Sequence, residues 1–321
     1  MISILIPFFN VENYIKDTIE SVIAQTKKDW EMILIDDGST DKSYEICKEY
    51  ADKDDRIKLF TQENSGVSSA RNSAVSKVTS KYFTFLDSDD LMAPDFLEKM
   101  YYHISKEDAD IYAADFVNFL EDNDIIWEKN KDTRKVVLGN KQATKALFED
   151  NYHGINFVLW GKVYKTKLFI DNKIVFPVGH VREDMATLYR IFYSAPKTVY
   201  IDDKLIAYRY RVGSIMHSGF DKRRFDLILA SKNACDFFLE KNEKELFDLA
   251  CNMHIRSLFT VGYEIRNAEN TKAMWKEYKD RMRKEGTFYL QRSGLSLIKK
   301  AVYQIGLFLP LDIALSKLKL K

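Results

Sequence analysis

The chain has 321 residues, 46% hydrophobic and 13% aromatic, enough for a substantial core in one large domain or two smaller ones, which excludes a disordered protein. A formal net charge of +1 gives no reason to expect a nucleic-acid partner. The longest apolar run, Ile305 to Leu311, is broken by a glycine and a proline and stops at Asp312, so no membrane-spanning helix is expected.

In chain order, short apolar runs first alternate with helical patterns, the signature of strands joined by crossover helices in a mostly parallel sheet. Ser3–Ile6 opens the series. It is too short and too little flanked by basic residues for a secretory signal, so a cytoplasmic location is expected. Ligands of such sheets bind beyond the carboxyl ends of the strands, which makes the next loop informative. Pro7-Phe8-Phe9-Asn10-Val11-Glu12 contains neither G-x-G-x-x-G nor G-x-x-x-x-G-K-[ST], against NAD-binding and P-loop sites. Pro7 ends the strand, and the aromatic pair with Glu12 suits a base and a ribose hydroxyl; the alternative is an ordinary turn capped by Asn10. Ile15, Ile19, Val22 and Ile23 then share one helical face.

The strand Met32–Ile35 runs into Asp36-Asp37-Gly38-Ser39-Thr40-Asp41. A carboxylate here can accept the N3–H of uracil, whereas Asp41 reads as a helix cap. After Ile57–Phe60, the stretch Asn64 to Asn72 places a glycine turn at Gly66 and Arg71 one turn into a helix. Helix-start N–H groups and a fixed guanidinium suit a diphosphate. After Tyr82–Leu86 comes Asp87-Ser88-Asp89-Asp90, three carboxylates at the end of a buried strand. Such crowding is costly unless something positive lies between them, and a hard divalent cation bridging phosphates offsets it. Capping of a helix near Pro94 accounts for only one of the three.

Beyond the strand Asp110–Ala113, the polar stretch Glu121–Lys135 reads as an exposed hairpin. Phe157–Tyr164, Val199–Ile201 and Ile206–Arg211 are further strand candidates, with a helix over Met185–Tyr193; Trp160 suits the core. From Asp221 onward the pattern is helical, which gives domains of 1–220, in halves 1–115 and 116–220, and 221–321. Cys47, Cys235 and Cys251 are odd in number and lack C-x-x-C spacing, so neither a disulfide framework nor a zinc site is suggested. Segment 281–321 holds nine basic and two acidic residues, +7, leaving −6 for the rest. Residues 293–321 read either as a basic amphipathic segment on an anionic membrane or as a helix packed on its own domain.

The ordered set Ser3 to Asn10, Asp36-Asp37-Gly38-Ser39, Asn64 to Asn72 and Asp87-Ser88-Asp89-Asp90 resembles the inverting family-two glycosyltransferases over about residues 1–215. The resemblance implies an α/β GT-A fold: a mixed, mostly parallel sheet flanked by helices, with a D-x-D motif and an acceptor half, here followed by a helical subdomain. It implies that Asp37 reads uracil with Asp36 nearby, and that the main chain of Pro7, Phe8 and Phe9 holds the nucleoside with Glu12. Gly66 and Arg71 then face the phosphates. Asp87 meets the ribose or the metal's outer shell, Ser88 lies beside it, and Asp89 binds Mn²⁺ or Mg²⁺ directly. Glu183-Asp184 resembles the family's acidic pair, with Asp184 as base and Glu183 orienting the site. Trp160 would wall the sugar pocket. Arg211 and Ser214 resemble a closing loop on the diphosphate, where many relatives carry a metal-binding histidine; that slot holds Val212, and His217 is out of alignment.

The resemblance implies a UDP-sugar donor and a glycan or lipid-linked acceptor in surface polysaccharide assembly, at the inner face of the membrane if the tail binds it. A nucleotidyltransferase usually opens with a glycine-rich basic loop, which Pro7-Phe8-Phe9-Asn10 is not. A non-catalytic nucleotide-sugar-binding scaffold has no need of Asp184.

Overall fold

The computed structural model describes residues 1–120, 125, 127, 133–149, 151–210, 222–268 and 271–308. They form two compact units, Met1–Gly179 with Thr187–Val212, and His180–Ala186 with Gly213–Lys321. The change in composition suggests a boundary at 220. The structure also gives the second unit a short piece of the earlier chain, which periodicity does not reveal.

In the first unit, β1 (Ile2–Phe8), α1 (Ile15–Ile23), β2 (Trp30–Asp36), α2 (Ser43–Ala51), β3 (Ile57–Thr61), α3 (Val67–Ser76) and β4 (Tyr82–Phe85) alternate as the sequence suggests. β5 (Leu91–Met92), α4 (Phe96–Lys106), β6 (Ile111–Phe119), β7 (Lys135–Gly139) and α5 (Asn140–Glu149) follow. β8 (Lys162–Lys165), α6 (Thr166–Asp171), α7 (Glu183–Ser194) and β9 (Lys197–Arg209) complete the series, the first turn of α7 being grouped with the second unit.

The nine strands form one mixed sheet in the order β3-β2-β1-β4-β8-β6-β9-β5, with β7 paired to β9. The strands β3, β2, β1 and β4 run parallel, as do β6 and β9, while β8, β5 and β7 join antiparallel. Both β1 and β2 are buried along their whole length, the condition of parallel strands covered on both faces. Ile15, Ile19 and Val22 of α1 are buried with them. Each such side chain contributes about 1.5–3 kcal/mol relative to exposure. The register sets Phe8 beside Asp36 and Asp36 beside Thr61, so three strands end in one row; Phe85 of β4 pairs with Leu5.

Two strand expectations change. Phe157–Tyr164 is strand only from Lys162, because the preceding residues turn over a buried ammonium. Lys162 Nζ donates to Asn156 Oδ1 at 3.1 Å and to the Val158 carbonyl at 2.8 Å. The candidates at 199–201 and 206–211 fall on one strand, β9, which ends at Arg209 and whose register against β6 shifts around Asp115. Most of the expected hairpin at 121–135 lies outside the described residues.

In the second unit, α8 (Phe225–Glu240), α9 (Lys244–Asn267), α10 (Lys272–Arg292) and α11 (Leu297–Phe308) confirm the helical reading. Their core gathers Ile228, Ile255, Phe259, Tyr278, Met282 and Tyr303. No helix among the described residues is long and apolar enough to cross a membrane.

Candidate active site

The loops after β1 and β2 are laced together. Asn10, at a φ of 50°, accepts the Thr40 N–H at 2.8 Å and offers its own N–H to Ser39 Oγ at 3.1 Å. It therefore joins two loops and caps no helix. The Glu12 N–H donates to Asp41 at 3.0 Å, while the Glu12 carboxylate accepts the Lys42 N–H at 3.0 Å. Asp41 also accepts the Ser43 N–H at the start of α2, at 2.9 Å. Pro7 and Phe8 are buried in strand β1, and of the aromatic pair only Phe9 is open to solvent, at 44%.

Asp36 turns back on its own loop, accepting the Ser39 N–H at 3.0 Å and the Thr61 hydroxyl at 3.2 Å. Asp37, 3% exposed, takes three donors: Gln62 Nε2 at 2.7 Å, the Ser65 N–H at 3.0 Å and the Gly66 N–H at 2.8 Å. The amide of Gly66, which the sequence assigns to phosphate, is thus engaged by Asp37. Gly38 has to be glycine: its φ is +74°, and a Cβ there would stand 3.0 Å from the Asn64 nitrogen. Gln62 is a hub that the sequence does not announce, since its Oε1 also accepts the Ser73 hydroxyl of α3 at 2.6 Å.

Arg71 and Asp87 do come together. From α3 the guanidinium donates to Asp87 Oδ1 at 3.1 Å, with the arginine side chain 7% and the aspartate 34% exposed. Ser88 is buried and Asp89 half-buried. Asp90 behaves differently from its neighbours. It is fully buried, accepts the Arg209 N–H at 2.9 Å through Oδ1 and the Thr18 hydroxyl at 2.9 Å through its carbonyl, and its Oδ2 has no partner among the described residues. Burial, and then the charges of Asp87 and Asp89, push its carboxyl well above the usual carboxylate range. Asp90 is an anchor turned into the core, and its burial disfavours the charged form. None of the three aspartates caps the next helix, because β5 intervenes and α4 begins at Phe96.

Arg209, at the end of β9, is the residue that the sequence reading overlooks. Its Nε donates to the Asp89 carbonyl at 2.8 Å and its Nη2 to Asp17 at 3.2 Å. Its guanidinium also lies over the rings of Phe119 and Tyr14, 4.7 and 5.3 Å from their centroids. The signal available was strand alternation, which puts Arg209 on the inward face with Ala207, one step before the favoured Arg211.

Trp160 is 4% exposed, stacked on Tyr208 at 5.7 Å and edge-on to Phe116 at 4.8 Å. It bridges to Phe85 and so backs the end of β4 from within the core. Glu183 and Asp184 open α7 and belong to the second unit; Asp184 Oδ1 accepts the Met185 N–H at 2.6 Å. Arg211, Val212, Ser214 and His217 lie outside the described residues.

Among the described residues, no three His, Cys, Asp or Glu side chains are gathered as a metal cage. Asp87 and Asp89 carry the kind of carboxylate oxygens that a hard divalent cation would take.

An α/β domain whose sheet presents such an acidic loop beyond β4, beside two welded strand-end loops, defines the GT-A class of nucleotide-diphospho-sugar transferases. Residues 3–172 match the model of Glycosyl transferase family 2, and the chain belongs to that family as a glycosyltransferase with the GT-A fold. It is 33% identical over 226 residues to the glycosyltransferase GlyG of Streptococcus pneumoniae, covering 69% of this chain and 74% of GlyG. It is 35% identical over 225 residues to GlyA of the same organism, covering 67% of this chain; the match spans only 31% of the length of GlyA. In fold it resembles S. aureus TarS residues 1–349 in complex with UDP, with a TM-score of 0.70, 17% identity, and 98% and 91% of the two chains covered. A mannosyltransferase of Pyrobaculum calidifontis in complex with GDP-Man and Mn²⁺ shares the fold more distantly, with a TM-score of 0.52, 14% identity, and 95% and 86% of the two chains covered.

Proposed function

We propose that the protein transfers a sugar from a UDP-sugar, with inversion, to a glycan or lipid-linked acceptor of a bacterial surface polysaccharide such as a capsule. The observation that carries the reading is the loop Asp87-Ser88-Asp89, presented beyond β4 with Arg71 clasping Asp87 and Arg209 holding the Asp89 backbone. Asp36 and Asp37 line the neighbouring strand end with the main chain of Pro7, Phe8 and Phe9, and Glu12 and Gly66 stand in the loops beside it. These groups would hold the nucleoside, Asp37 reading uracil; Ser88 and Arg71, with Arg211 and Ser214, would lie toward the diphosphate. That TarS is described with UDP-GlcNAc supports a uridine donor, and the Mn²⁺ of the mannosyltransferase supports a divalent cation.

Asp89 would hold that Mn²⁺ or Mg²⁺ with help from Asp87, and the cation, when bound, neutralises the diphosphate as it leaves. The chain supplies the rest. Asp184 takes the proton of the acceptor hydroxyl as its oxygen attacks the anomeric carbon from the face opposite the diphosphate, and Glu183 orients the acceptor. Trp160 supports the wall of the sugar pocket from behind. The tail 293–321 would rest on the inner face of the membrane, where lipid-linked acceptors lie.

Nucleotide release from a panel of UDP-, GDP- and dTDP-sugars tests the donor: release from UDP-sugars is expected, and release from a GDP- or dTDP-sugar alone would remove uracil reading from Asp37. Asp184→Asn is expected to abolish transfer; full transfer by this variant would refute the base.

A further inference from the structure

Within the second unit, the segment that carries the candidate base is held by a residue of α8. The Asp226 carboxylate, in the first turn of that helix, meets the ring of His180 at 3.0 Å and accepts the Val181 N–H at 2.8 Å. Between this anchor and the acidic pair lies Arg182, whose φ of 66° is a left-handed conformation unfavourable for a residue that carries a Cβ. Its carbonyl then accepts the Ala186 N–H at 3.0 Å and starts α7. Strained backbone of this kind persists only where its surroundings determine it, and it concentrates beside reacting groups. Without Asp226 the turn has a cheaper, extended alternative, and the first turn of α7 would lose its fixed direction.

We infer that Asp226 is a positioning residue of the transfer reaction: it fixes the turn at Val181-Arg182 and thereby the direction in which Asp184 leaves α7. The inference rests on the proposed role of Asp184. It gives the helical unit a part in the chemistry, since a residue of that unit aims the base while touching neither substrate. Asn in its place keeps a carbonyl for the Val181 N–H and a polar partner for His180, whereas Ala keeps neither.

The test compares Asp226→Ala, Asp226→Asn and Asp184→Asn in the full chain. Hydrogen exchange at the Val181 amide and nucleotide release from UDP-glucose, UDP-galactose and UDP-N-acetylglucosamine are followed, with UDP affinity measured by calorimetry. In Asp226→Ala the Val181 amide should exchange roughly tenfold faster or more, and kcat should fall by a similar factor with UDP affinity unchanged. Asp226→Asn should restore most of both. Unchanged exchange in Asp226→Ala overturns the inference, as does wild-type kcat in that variant where Asp184→Asn is inactive. Wild-type turnover by Asp184→Asn would instead remove the base assignment itself. If Asp226→Ala does not fold, Asp226→Ser decides, since its short hydroxyl does not span the reach of the carboxylate: faster exchange and lower kcat at unchanged UDP affinity support positioning, and wild-type exchange or kcat, or a parallel loss of UDP affinity, contradicts it.

Discussion

Arg209 reaches Asp89 through the backbone carbonyl at 2.8 Å, while its other arm is committed to Asp17 at 3.2 Å. Its effect on the acidic loop is one of placement: it fixes where the Asp89 side chain begins. Partners of this kind are worth about ten- to a hundredfold in metal affinity or activity. Arg209→Ala is accordingly expected to reduce turnover by about that factor and to raise the Mn²⁺ concentration needed for half-maximal rate. Arg209→Lys should recover little, since lysine lacks the fork that reaches two partners at once. An Mn²⁺ titration of turnover checks both variants, and a wild-type curve for Arg209→Ala would mean that the loop holds its shape unaided. At this scale the sequence was only partly legible. Asp37, Arg71 and Asp87 stand out by type and spacing, but what each one touches does not. Of the three crowded carboxylates only Asp87 and Asp89 stay at the loop surface, because Asp90 is buried and bound to the Arg209 N–H.

Helices and strands were read well where one face is apolar and one period dominates. The strands β1, β2 and β4 and the face of α1 emerged in this way, because a fully buried strand leaves an apolar run too short for a helix and bounded by turn residues. The reading failed where a single tertiary contact overrides the local pattern: Lys162 curls the residues before β8 around its ammonium, and β9 absorbs the polar residues between its two apolar halves. Glu183-Asp184 was legible as a motif, but the unit it belongs to was not, because the anchoring Asp226 lies more than forty residues later. The packing of α8 to α10 also hides a titrating group. His254 bonds Ser231 at 3.0 Å through Nδ1, its Nε2 has no partner among the described residues, and burial lowers its pKa from 6.5 to about 4. The unfolded chain takes up this proton below pH 6.5 and the folded unit does not. Stability is thus fully present above pH 6.5 and is lost as pH falls toward 4, by about 1.4 kcal/mol per pH unit. Amide exchange in α9 should report about 2 kcal/mol less stability at pH 5 than at pH 7, a difference that His254→Gln abolishes. An equal pH response in both proteins would show that His254 is not the titrating group.

At the scale of the molecule, the proposed donor groups belong to the first unit, and the acidic pair and the basic tail to the second. Leu297 of α11 is 85% exposed beside Lys299 and Lys300, an apolar and basic combination suited to an anionic surface. The full chain is expected to co-sediment with vesicles of anionic phospholipid and to be released by high salt, whereas the double variant Lys299→Glu, Lys300→Glu should stay in solution. Equal sedimentation of the two would leave the tail without that role. The central claim is that the loop beyond β4 holds a nucleotide-sugar through a divalent cation. Its most direct test is the release of UDP from a UDP-sugar by the wild-type protein and by Asp89→Asn, each with and without Mn²⁺. Mn²⁺-dependent release that falls by roughly two orders of magnitude in the variant is predicted, and equal release by the two proteins, or release indifferent to Mn²⁺, would contradict it.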